Sequence, residues 1–191
     1  MRRLRAVTLN SQSRNARETG QATTLMYALF AAATNHIRCG NYAAAHTQVD
    51  ELMALADERR APYWKAFGTA VRGWIFASTG KASDAVRAIT SGITSLRSTG
   101  ATLYEPWHLW YLAMAYAELG QPDDARHCID DAIDKVERSK EKWCEAEVYR
   151  IAGEVTLKSP APDKKKQKSI LIAHLRSRVS SNQNTGSCER Q

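Results

Sequence analysis

The chain has 191 residues, enough for one ordinary domain, and Ala, Leu, Arg and Glu recur while only 10 Gly and 5 Pro interrupt it, a composition that favours helix. The formal net charge of +7 invites a nucleic-acid reading, yet it sits at the ends: residues 1–18 hold five Arg against one Glu, residues 164–191 hold four Lys and three Arg against one Glu, and residues 19–163 hold 15 basic against 18 acidic groups. The middle is mildly acidic, which argues against a basic nucleic-acid-binding core and leaves tails that hold any polyanion loosely.

In chain order, Met1-Arg-Arg-Leu-Arg5 is basic but no apolar run follows, so no secretory signal is legible. Arg17-Glu-Thr-Gly20 mirrors Arg97-Ser-Thr-Gly100, so residues 1–19 read as the second helix of an earlier, degenerate partial repeat, with Arg5 and Gln12 spoiling its apolar face. The uncharged stretch from Thr19 to Ile37 contains Gln21, Thr23, Thr24, Thr34, Asn35 and His36, which suits a buried helix better than a membrane span. Helical patterns then run near 22–39, 42–58, 62–79, 82–98, 102–119, 122–138 and 141–158, with joints short enough for antiparallel neighbours.

These patterns repeat. Gly40, Gly80 and Gly120 lie 40 residues apart, each where a helix end needs a left-handed residue. The same step links the small residues Ala33, Gly73, Ala113 and Gly153, the alanines Ala45, Ala85 and Ala125, and the β-branched Val49, Ile89 and Ile129. Small residues let two helices approach, and a larger apolar residue one turn on fills the remaining space. The repeats divide as 20–60, 61–100, 101–140 and a partial 141–163.

The third unit carries Ala113, Tyr116, Gly120, Ala125, Ile129 and Ala132, and the second carries Gly73, Phe76, Gly80, Ala85, Ile89 and Gly92. That pattern resembles the tetratricopeptide repeat, although the period exceeds the usual ~34 residues and the first unit departs at His36 and Leu52. The resemblance implies an all-α solenoid of antiparallel helix pairs, binding a protein or peptide partner along a concave groove. By register it points to Trp74, Trp107, Met114, Phe67 and Trp110 as groove residues, in a set that also includes Tyr27, Phe30, Ala70 and Thr34. Packing between repeats, helped by the long helices, is the preferred reading for each aromatic among them.

Narrower phrases, including Thr24-Leu-Met-Tyr-Ala-Leu-Phe30, Cys39-Gly-Asn-Tyr-Ala-Ala-Ala45, Arg97-Ser-Thr-Gly-Ala-Thr-Leu103 and Trp143-Cys-Glu-Ala-Glu147, resemble the C-terminal repeat region of bacterial class III adenylate/guanylate cyclase-like proteins that contain an ATPase module. This resemblance covers about residues 16–163 and implies a cytoplasmic, regulatory segment of a signalling protein. The cyclase domain itself finds no room among the repeats, and no Gly-x-x-x-x-Gly-Lys-Ser/Thr loop is present. The alternatives are a protein called a cyclase by kinship alone and a basic-tailed nucleic-acid binder.

No catalytic, metal or cofactor site is expected. Cys39, Cys128, Cys144 and Cys188 have no zinc-type spacing and fit a reducing compartment. The acidic set Asp123, Asp124, Asp130, Asp131 and Asp134 reads as a solvated helix face rather than a metal site. Residues 164–191 break the repeat pattern and read as a disordered basic tail; one codon assignment in a shifted frame restores a repeat-like helix from about 165. Ends without capping repeats imply self-association.

Overall fold

The computed structural model describes residues 21–139, 142–158 and 172–173. The expected partial helix over 1–19, and the tail over 164–191 apart from that last pair, lie outside them. Among the described residues seven α-helices follow one another: α1 (Ala22–Arg38), α2 (Tyr42–Glu58), α3 (Pro62–Ser78), α4 (Ala82–Ser98), α5 (Glu105–Glu118), α6 (Pro122–Ser139) and α7 (Lys142–Lys158). No strand occurs among these residues. The chain divides into two compact units, Met1–Leu103 and Tyr104–Gln191. In the first, α1 packs on α2 and α3, α2 on α3, and α3 on α4. In the second, α5 packs on α6 and α7, and α6 on α7.

The joints share one design. Gly40, Gly80, Gly100 and Gly120 have φ between +71° and +79°, a region where a side chain is strained and glycine is not. The next amide then reaches back over the helix end: Asn41 N–H donates to the His36 carbonyl at 2.9 Å, Lys81 to Phe76 at 3.0 Å and Gln121 to Tyr116 at 2.9 Å. This satisfies a carbonyl that the helix leaves open. α2 ends in the same way, with Ala61 N–H on the Ala56 carbonyl at 2.8 Å, but Arg60 holds the left-handed position at φ +50°. Asn41 caps the following helix by accepting from the Ala44 amide, and Pro62 and Pro122 open α3 and α6.

One boundary differs from the sequence expectation by more than a residue. α5 begins at Glu105 rather than near 102. Pro106 has no N–H for an intrahelical bond, so it is tolerated only in the first turn, and a start at 102 would place it deeper. Tyr104, left-handed at φ +66°, turns the chain just ahead of it.

The core sits where small residues meet. Ala33, Ala45, Ala85, Ala113 and Ala125 have no exposed surface. A Cβ on Gly73 would lie 2.5 Å from Ile89 Cγ1 and 3.2 Å from the Ala85 carbonyl oxygen. One on Gly92 would lie 2.6–2.8 Å from the Ala70 Cβ, Cα and N. Backbone of α3 thus touches α4 at both points. Gly153 differs, since a Cβ there meets nothing within 4 Å; the helix that repeat spacing sets opposite it falls in 163–180, largely outside the described residues.

Three substitutions separate these cases in urea melts. Gly92→Ala is expected to destabilise by about 1–3 kcal/mol, because the clash is with backbone and outweighs alanine's higher helix propensity. Gly153→Ala, mid-helix in open space, is expected to stabilise by up to ~1 kcal/mol. Arg60→Gly is expected to stabilise by roughly 1 kcal/mol by relieving the left-handed residue.

Candidate functional site

In the first unit, aromatic rings form a column from core to surface. Trp74 and Phe67, one and a half to two turns apart on α3, lie with ring centroids 6.4 Å apart and are each 1% exposed. Phe30 of α1 meets Phe67 edge-on at 4.7 Å. Tyr63, one turn before Phe67, stacks on it at 5.7 Å and 22°, and Trp64 meets it edge-on at 6.2 Å. The column surfaces at Tyr27 of α1, which contacts Phe30 at 6.1 Å and Trp64 at 6.5 Å and is 54% exposed. Tyr63 and Trp64 are half-buried, and burial raises the Tyr63 hydroxyl pKa. The helical spacings i, i+3 and i, i+4 align these rings along one face, and edge-on pairs suit the ring quadrupoles.

In the second unit the first turns of α5 are buried all round, from Glu105 to Ala113. Trp107 stacks on Trp110 at 5.2 Å, and Trp110 on Tyr111 at 4.9 Å. Trp110 Nε1–H donates to Met114 Sδ at 3.3 Å. Glu105, buried, pairs with Lys135 Nζ of α6 at 3.1 Å. His108 is 1% exposed, and burial lowers its pKa to about 3.

The expected groove residues therefore divide. Phe67 and Trp74 are inside the first unit, and Trp107 and Trp110 are 6% and 7% exposed in the second. Met114 and Thr34, half-buried, and the exposed Tyr27 keep part of their side chains open. The four rings are buried because α3 is covered along most of its circumference by α1, α2 and α4, and α5 packs on α6 and α7. Tyr63 and Trp64 lay outside the repeat columns and were not singled out. The available signal was their place beside Pro62, in a first turn that packing covers less.

Burial, with the fields of Asp131 and Asp124 adding to it, pushes the Cys128 thiol up to about 12. Burial and Glu137, whose Oε1 accepts from the Tyr149 hydroxyl at 3.2 Å, push Tyr149 up to about 12. Asp123 and Asp134 on α6 are exposed and pair with Arg126 and Arg138. Among the described residues no group of three or more His, Cys, Asp or Glu could hold a metal ion.

Residues 106–130, from the first turn of α5 into α6, match the tetratricopeptide repeat family model. A crystal structure of nearly identical TPR-like repeats from Podosopora anserina, named as a kinesin light chain, is similar with a TM-score of 0.57 at 10% identity, covering 94% of this chain and 97% of that chain. A point variant of that protein is similar with a TM-score of 0.58 at 11% identity, over 95% and 97%. The fold is that of a tetratricopeptide-like array of helix pairs. No curated protein matches the sequence.

Within this tetratricopeptide-like array the buried histidine makes the second unit sensitive to acid. Unfolded, His108 titrates near 6.5; folded, it stays neutral down to about 3. The unfolded state binds the proton first as pH falls, so stability is lost from about pH 6.5 towards 3. Urea melts are expected to show a loss of about 2 kcal/mol between pH 7.5 and 5 in the wild type and a flatter profile in His108→Gln. Equal slopes would assign the effect to other groups.

Proposed function

We propose that the chain is a non-catalytic protein-interaction module, which takes a protein or peptide partner on its helical surface and makes first contact through Tyr27 and Trp64 of the first unit. The supporting observation is the aromatic column: an exposed ring sits on a half-buried one, over a base of buried rings that holds both in place. Large, rigid aromatics lose little entropy on binding and are enriched among residues that dominate interfaces. Phe67, Trp74, Trp107 and Trp110 then serve binding from beneath, by fixing the helices, and Met114 offers a smaller contact in the second unit.

The narrower reading is a regulatory segment of a bacterial cyclase-like signalling protein. It is supported by the phrases over about residues 16–163 that resemble the repeat region of that family. A cytoplasmic setting goes with it, supported by scattered thiols of which Cys39 is exposed and Cys128 and Cys144 buried. Among the described residues no helix is long and apolar enough to cross a membrane. The basic ends favour polyanion binding as the second reading.

Affinity capture with the full chain and with the double variant Tyr27→Ala/Trp64→Ala tests the first reading. Proteins held by the wild type are expected to bind about tenfold or more weakly to the variant, roughly the loss of one interface hot spot, with helical circular dichroism unchanged. Equal capture by both would move the contact elsewhere. Retention on a nucleic-acid column that falls steeply with salt and disappears on deleting 164–191 would favour the polyanion reading.

A further inference from the structure

No further inference is drawn: the strongest candidate, the exposed aromatic patch of Tyr27, Tyr63 and Trp64 on the first turns of α1 and α3, belongs to the surface already proposed for a partner, and nothing in the structure shows what covers it.

Discussion

A methyl group on Gly92 would come within 2.6 Å of the Ala70 Cβ, and one on Gly73 within 2.5 Å of Ile89 Cγ1, so α3 and α4 cross with backbone against side chain and no room between. That approach sets how the first unit is built. Once α4 is this close on one side, α1 and α2 occupy two more sides of α3. What remains open is a stripe through Lys65, Thr69, Arg72 and Phe76. The rings that point the other way, Phe67 and Trp74, are closed in as a consequence. Their burial contributes on the order of 2–3 kcal/mol each, which makes them foundations of the unit. At the first turn of α3 and on α1, where the column leaves the packed zone, its aromatic edges reach solvent.

Polar contacts trim this arrangement rather than create it. Arg72 of α3 meets Asp50 of α2 at 2.6 Å, and Lys65 meets Asp57 at 2.5 Å, both along the exposed stripe. Such pairs contribute little in water. Glu105 with Lys135 is a different case, because the carboxylate is buried.

The period, the helix count and the joints were legible because they rest on local chemistry. A left-handed residue ends each of α1 to α5, glycine supplies it at all but one, and spacing 40 apart exposes the rule at Gly40, Gly80 and Gly120. Arg60 escaped notice because the chain pays the strain at that one joint, and a residue type alone does not reveal φ. α5 starts three residues later than the helical pattern alone implies, because Pro106 limits how early the helix can begin. The aromatics were harder. Register tells which residues share a face, but whether that face is open depends on how closely neighbouring helices pack, a tertiary property with no local signature. A cue existed in Glu105-Pro-Trp-His-Leu-Trp-Tyr-Leu112: a helix start that is apolar nearly all round has no face left for water.

The chemistry of the described residues leans the same way as the packing. His108, Cys128 and Tyr149 are each displaced from their ordinary pKa in the direction that keeps them uncharged near neutrality, with burial the largest cause. A general base or nucleophile needs the opposite tuning, towards the working pH or towards the charged form. These groups are thus suited to filling space and accepting or donating single hydrogen bonds. Charge is distributed with a similar economy. Residues 21–103 carry eight basic and five acidic groups, whereas 104–158 carry seven basic and twelve acidic. The second set of helices offers a polyanion no net positive charge, so any nucleic-acid affinity should track the basic ends and collapse with salt. A protein partner faces no such conflict, because an aromatic contact such as Tyr27 on Trp64 works through buried area and is nearly indifferent to salt.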